Sequence, residues 1–243
     1  MRGIKPGWFV LLAVTVYAIV VSILLFGRGA RETPTLTTPA AESPVRAPAE
    51  GAASAAGPAG YWFPIPGARL PRSDTNLPGA SRAYRSGVSQ GFDFVGGDLD
   101  VPVSFGAAVI ASSAGQVIRA DASYVELTRS AWERLLEEVE DGASEQELDR
   151  LRGRQVWVQA PDGTVFRYGH LSRVASGVSV GRTVYRGQVI GYIGNSGTDA
   201  GVAGLEEGAR LRFEVWPEEG AYLGEGLTPE QVRLEAASSF VGP

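Results

Sequence analysis

Cysteine is absent from this 243-residue sequence, and histidine, lysine and methionine occur once each. Without cysteine, neither a disulfide framework nor a thiolate metal site can form. The single histidine, His170, cannot supply a metal site that needs two imidazole ligands. The only lysine is Lys5, and the other basic residues are scattered arginines. This excludes the concentrated basic run that is typical of nucleic-acid-binding proteins.

An uncharged, mainly apolar run, WFVLLAVTVYAIVVSILLF, occupies residues 8–26, with only Thr15 and Ser22 as polar interruptions. A helix of this length, at about 1.5 Å per residue, just spans a hydrocarbon core of roughly 30 Å. A cleaved signal peptide is the alternative, although its apolar region usually has only about 7–15 residues before a small-residue cleavage site. We therefore predict an N-terminal transmembrane anchor at residues 1–28.

Basic residues flank the apolar run on both sides. Arg2 and Lys5 precede it, while Arg28 and Arg31 follow it. The positive-inside rule therefore leans only toward a cytoplasmic N-terminus. The expectation is a single-pass membrane protein whose C-terminal domain is extracytoplasmic, in the periplasm or on the cell-wall side.

The segment at residues 29–60 is rich in proline, alanine and threonine. It has too few apolar residues to offset chain entropy, and prolines at this density favour extended conformations. It is predicted to be a disordered tether. Residues 61–243 then form one domain of ordinary size.

Short segments rich in β-branched and aromatic residues recur from residue 108 onward. Segments at 155–159 and 164–168 flank the turn signal at 161–163 and predict a hairpin. Further strands are predicted at 115–120, 183–185, 188–190 and 211–216. The pattern predicts a mainly β fold with an antiparallel sheet or sandwich.

Helical spacing interrupts the strand pattern at about residues 126–153. Apolar residues recur at helical intervals over 129–140, and Ser144 with Glu147 forms a capping-box signature before a second helix. We interpret this segment as a helical insertion that packs against the sheet edge. A surface for docking a partner protein is the alternative.

Five motifs in series resemble the lysostaphin-type (LytM-like) zinc metallopeptidases of bacterial cell walls. The segment SQGFDF at 89–94 resembles the family's H-x-G-x-D, and YGHL at 168–171 resembles its Y-x-H-L. Two glycine-rich segments at 180–191 and 194–198 match the stretches that follow. RLRFE at 210–214 lies where the family has H-L-H-F-E. The resemblance covers about residues 83–216 and implies a duplicated-hybrid-motif fold.

The resemblance implies a zinc site in which most ligands are replaced. The three ligand positions carry Ser89, Asp93 and Arg212, so that only the aspartate is retained. The two catalytic histidine positions carry His170, which is retained, and Arg210. A guanidinium has no lone pair available for a cation. The resemblance therefore implies a degenerate site, for which no cofactor is expected, and Arg212 or Arg210 is expected to pair with Asp93.

Purely structural roles are the alternative to these catalytic and ligand roles. His170 is a hydrogen-bonded histidine at a sheet edge if it has no catalytic role, and Asp93 has a structural role in an ion pair or turn. Glu214 shares one strand face with Arg210 and Arg212, so a rearranged zinc site of Asp93, His170 and Glu214 is the alternative to an empty one.

Three functions follow from the sequence. The first is a membrane-anchored cell-envelope protein whose non-catalytic domain binds peptidoglycan or regulates a wall hydrolase. The second is an active metalloendopeptidase that cleaves peptidoglycan cross-links with zinc in an atypical ligand set. The third is a structural adaptor that docks through the helical insertion.

Overall fold

The computed structural model describes residues 60–217 and 220–241. The predicted anchor at residues 1–28 and nearly all of the predicted tether at 29–60 lie outside them. None of the helices in the described ranges combines the length and the apolar character needed to cross a lipid bilayer.

Eleven strands make up most of the described domain. In chain order they are β1 (Ser81–Arg82), β2 (Gly87–Val88), β3 (Phe92–Val95), β4 (Ala108–Ile110), β5 (Gly115–Ala120), β6 (Val156–Gln159), β7 (Val165–Gly169), β8 (Leu171–Val174), β9 (Thr183–Val184), β10 (Val189–Ile193) and β11 (Arg210–Trp216). The prediction of a mainly β fold is confirmed.

Antiparallel pairing arranges these strands in three sheets. The largest has six strands in the order β3-β11-β7-β6-β5-β9, and a second has the order β4-β10-β8. Strands β1 and β2 form a separate ribbon. Side chains of the two larger sheets share one core, in which Phe213 of β11 packs against Phe92, Phe94, Phe166 and Tyr168.

The predicted hairpin is present as β6 and β7, and the strand predicted at 115–120 is β5. The strands predicted at 183–185, 188–190 and 211–216 correspond to β9, β10 and β11, with ends shifted by one to three residues. The alternation of β-branched and aromatic residues with polar ones therefore located most of the large sheet.

Four α-helices and two short 3-10 helices, Asp74–Asn76 and Ala83–Arg85, complete the described domain; the α-helices are named in chain order. They are α1 (Arg129–Glu138), α2 (Glu145–Arg152), α3 (Asp199–Val202) and α4 (Pro229–Ser239). The sequence patterns did not predict α4, because only Val232 and Ala236 of this helix are buried. Its capping box of Thr228 and Gln231, with Pro229 at the first helical position, is the signal that could have located it.

Helices α1 and α2 lie between β5 and β6 and form the predicted insertion. Ser144 and Glu147 make both hydrogen bonds of the predicted capping box. The two helices share a small core of their own, which comprises Trp132, Leu135, Val139, Leu148 and Leu151. The insertion does more than pack at a sheet edge, because the end of α2 reaches the candidate site on β11.

Candidate functional site

Strand pairing brings the separate sequence motifs to one place. In the antiparallel register Arg212 of β11 lies opposite Asp93 of β3 on one side and opposite Gly169 of β7 on the other. His170 follows Gly169 directly, and Ser89 lies in the loop before β3. The motif positions that the sequence placed in one site are therefore neighbours in the fold.

A cavity of about 330 Å³ opens at this point of the sheet. Five of the six predicted site residues line it, and the sixth, Ser89, is fully buried beside them. The five are Asp93, His170, Arg210, Arg212 and Glu214.

Asp93 is buried and forms two ion pairs. Its Oδ2 accepts hydrogen bonds from Nη1 of Arg212 at 3.2 Å and from Nη2 of Arg82 at 2.5 Å. Burial alone would raise the pKa of this carboxyl, but the Arg212 and Arg82 guanidinium groups outweigh burial and hold the pKa below its ordinary value. The expected ion pair of Asp93 is therefore present, with Arg212 as the partner and not Arg210.

Ser89 is bound to the same two arginines. Its Oγ accepts hydrogen bonds from Nη1 of Arg212 at 2.6 Å and from Nη2 of Arg82 at 3.2 Å, and donates one to the Gly91 carbonyl at 2.8 Å. The serine hydroxyl therefore serves as an acceptor for guanidinium groups.

Glu214 is only 1% exposed and has its own set of donors. Its Oε1 accepts from Nε of Arg152 at 2.9 Å and from Nε of Arg212 at 3.2 Å, while Oε2 accepts from Nε1 of Trp216 at 3.1 Å. Burial would raise the pKa of Glu214, but Arg152 and Arg212 lower it below its ordinary value. Arg212 thus bridges Glu214 and Asp93, which argues against a joint ligand set of these two carboxylates.

Arg82 and Arg152 are site residues that sequence reasoning missed. Arg82 ends β1, before the first motif, and Arg152 ends α2 in the insertion. Neither occupies a position of a family motif, and an arginine in the last turn of a helix is ordinarily explained by the helix dipole. Only the fold shows that both reach the centre of the site.

His170 has a left-handed backbone conformation, with φ of 57°. Its backbone N–H donates to the Arg152 carbonyl at 2.8 Å, and its Nδ1 lies 2.7 Å from the Ser196 carbonyl oxygen. Since a carbonyl only accepts, the ring proton is on Nδ1. Burial first, and then the nearby Arg210 guanidinium, lower the pKa of His170 to about 4.

We expect the His170 ring to stay neutral from pH 8 down to about pH 5. Its folded pKa lies below its unfolded value of about 6.5, so its protonation opposes folding increasingly as the pH falls from 6.5 toward 4. Because His170 is the only histidine, proton NMR of its ring gives one titration curve. The urea-unfolded chain, as control, should titrate near pH 6.5, and a midpoint above pH 6 in the folded chain would contradict the expectation.

Arg210 differs from the other arginines of the site. It is partly exposed, and its Nε donates to the Gly208 carbonyl at 3.3 Å. Among the described residues no carboxylate forms an ion pair with it. The guanidinium therefore keeps donors available toward the cavity.

Comparison with known proteins relates part of the chain to a known family. The sequence model of Peptidase family M23 matches residues 138–223, which contain His170, Arg210, Arg212 and Glu214. This part of the chain is therefore similar to peptidase family M23. The resemblance to lysostaphin-type peptidases is confirmed by this match, which begins downstream of Ser89 and Asp93. No curated protein matches the chain.

Solved structures also match the chain. One is a mutant catalytic domain of the prophage-encoded M23 protein EnpA from Enterococcus faecalis, with 18% identity over 66% of this chain and 88% of that one, at a TM-score of 0.39. Another is the catalytic domain of the antimicrobial peptidase lysostaphin from Staphylococcus simulans, with 22% identity over 64% and 75% of the two chains, at a TM-score of 0.35.

The side chains at the positions that correspond to the zinc ligands in the sequence resemblance do not fit a zinc ion. Of Ser89, Asp93 and Arg212, only the aspartate is an ordinary zinc ligand, and its Oδ2 is bound by two guanidinium groups. A cation bound to Asp93 would also be repelled by these guanidinium groups, whose nitrogen atoms lie 2.5 and 3.2 Å from Oδ2 of Asp93. Within residues 60–217 and 220–241, no cluster of three or more histidine, aspartate or glutamate side chains converges as a metal site would require.

Proposed function

We propose that this protein is a membrane-tethered cell-envelope protein whose M23 domain binds peptidoglycan without cleaving it. The observation that carries the proposal is the position of the Arg212 guanidinium, which contacts Ser89, Asp93 and Glu214 at the inherited metal position. A permanent cation there takes the place of a metal and supplies neither a Lewis acid nor an activated water.

The cavity and the family support the choice of ligand. The M23 match is consistent with the peptidoglycan hydrolases, and the cavity beside Arg212 is open to solvent. The apolar run at 8–26 and the proline-rich segment at 29–60 support a tether that holds the domain away from a membrane.

Metal analysis of the purified full chain, with a wall-digestion assay beside it, tests the absence of catalysis. We expect sub-stoichiometric zinc, no release of soluble wall fragments, and cosedimentation of the chain with purified peptidoglycan. An active M23 peptidase serves as the positive control. One zinc per chain together with digestion would establish the metalloendopeptidase instead, and capture of a partner protein without wall binding would favour the adaptor.

Restoring histidine at the replaced positions should restore zinc binding only in part. In the variant Ser89→His/Arg210→His/Arg212→His, the Arg82 guanidinium still occupies Oδ2 of Asp93 and competes with the metal. Adding Arg82→Ala removes that competitor, so the fourfold variant should bind zinc more tightly than the threefold one. Competition with a chelating dye measures both affinities, and circular dichroism checks the fold. No zinc binding by either folded variant would contradict the inherited geometry.

A further inference from the structure

The cavity at the site has an excess of positive charge. Two carboxylates line it, those of Asp93 and Glu214, against five guanidinium groups. The five belong to Arg82, Arg85, Arg152, Arg210 and Arg212. Five positive and two negative charges leave three positive charges, because His170 is neutral near pH 7.

The two carboxylates already have their arginine partners. Asp93 binds Arg82 and Arg212, while Glu214 binds Arg152 and Arg212. Three of the five arginines are therefore part of an ion-pair network, which also includes Glu145 beside Arg152 and Arg167 beside Glu214. Its carboxylates do not reach the other two.

Arg85 is the first of the remaining arginines, and it is only 6% exposed. Its Nη2 donates to the Val88 carbonyl, and its buried Nε–H has no acceptor. No carboxylate among the described residues forms an ion pair with it. Burial lowers the pKa of Arg85, the electrostatic effect of neighbouring Tyr84 partly offsets this, and Arg212 and Arg82 lower it further. A buried cation without a counter-ion is costly, so this site favours an added anion.

Arg210 is the second, and it lines the same cavity with its guanidinium donors largely unused. Arginine presents its donors in a planar fork that matches carboxylate oxygens. The two arginines differ in exposure, because Arg85 is buried and Arg210 is partly exposed.

Carbon surface lies beside these charges. Leu148 and Leu151 of α2 line the cavity with a small exposed surface, and Tyr84, which is half exposed, lines it as well. An inorganic anion would leave this surface uncovered, whereas a peptide would cover it with its own side chains.

We propose that the cavity is an anion-binding site that takes the free carboxylate of a short peptide, held by Arg210 and Arg85. The peptide carbon skeleton lies against Leu148, Leu151 and Tyr84. This inference deepens the proposed function, on which it rests, by naming a carboxylate-bearing peptide as the part of the wall that is recognised.

Calorimetric titration of the full chain with N-acetyl-Ala-Ala tests the site. We expect saturable binding that weakens as salt is added, and no binding of the C-terminal amide of the same peptide. Inorganic phosphate should bind more weakly than the peptide. Tighter binding of phosphate, or equal binding of the amide, would overturn the assignment of the carboxylate.

Arg210→Gln provides the matched variant, because Arg210 is outside the ion-pair network and its loss should leave the fold intact. Affinity should fall by about tenfold or more, as for loss of a charge-assisted hydrogen bond. Arg182→Gln, at an exposed arginine outside the cavity, is the control and should bind as the parent does. Equal affinities of the two variants, with unchanged melting temperatures, would overturn the site.

Cosedimentation with peptidoglycan separates the two proposals. A chain that binds the peptide but not the wall contradicts the proposed function while this site stands. If the chain sediments with the wall but does not bind the peptide, the proposed carboxylate site is wrong while the proposed wall binding stands.

Discussion

Replacing Asp93 with asparagine should lower the free energy of unfolding by about 3–5 kcal/mol. The substitution keeps the shape of the side chain but removes the charge that Arg82 and Arg212 share. Arg212 is only 8% exposed, so water compensates poorly for the lost carboxylate. Denaturant unfolding of the full chain, followed by tryptophan fluorescence, measures the change.

An exposed ion pair of the same type provides the control for Asp93→Asn. Asp100 pairs with Arg72, and the two side chains are 65% and 59% exposed. Asp100→Asn should therefore cost less than about 1 kcal/mol. Equal stabilities of the two variants would contradict the buried pair.

The Asp93 pair also predicts the direction of a pH dependence. The folded pKa of this carboxyl is lowered, so its stabilising contribution is present above the unfolded pKa of about 3.9. The contribution is lost as the pH falls through the folded pKa. Asp93→Asn should lack this part of the acid sensitivity.

Replacing Glu214 with glutamine should also cost about 3–5 kcal/mol and should loosen the end of α2. Glu214 is the carboxylate that joins Arg152 of the insertion to Arg212 of the sheet. When Glu214 loses its negative charge, the buried positive charges of Arg152 and Arg212 repel each other with less compensation. Hydrogen exchange at residues 145–152 should increase in addition to the loss of global stability.

A matched control for Glu214→Gln lies within the insertion. Glu138 of α1 pairs with Arg150 of α2, and their side chains are 47% and 34% exposed. Glu138→Gln should cost less than about 1 kcal/mol and leave exchange at the end of α2 nearly unchanged. Loss of protection in Glu138→Gln alone would show that α1, and not β11, holds the insertion in place.

The strands were predicted well where apolar and polar residues alternate clearly along the sequence. The turn signal at 161–163 between two β-branched segments located the hairpin of β6 and β7, because side-chain alternation and turn chemistry act over a few residues. The motif order likewise anticipated that Asp93, His170 and Arg212 would converge, since the resemblance carried the long-range pairing that local patterns lack.

The arginines that complete the site could not be predicted. Arg82 and Arg152 contact Asp93 and Glu214 only because β1 and α2 fold over the end of the sheet, and neither helical periodicity nor strand alternation specifies such a contact. Sequence reasoning also left two candidates, Arg210 and Arg212, for the partner of Asp93. Register decides between them, because Arg212 is directly opposite Asp93 and Arg210 is opposite Val95.

The contacts of Arg212 also bear on which substitutions this domain tolerates. Because its guanidinium touches Ser89, Asp93 and Glu214 at once, losing it first leaves two buried carboxylates with fewer counter-charges. Introducing a histidine at position 89 first forces a ring into the fully buried space beside the same guanidinium. Each single substitution toward a metal ligand should thus lower stability before any metal can bind. Arg212, Ser89, Asp93 and Glu214 are therefore mutually dependent, and replacing one of them alone disturbs the contacts of the others.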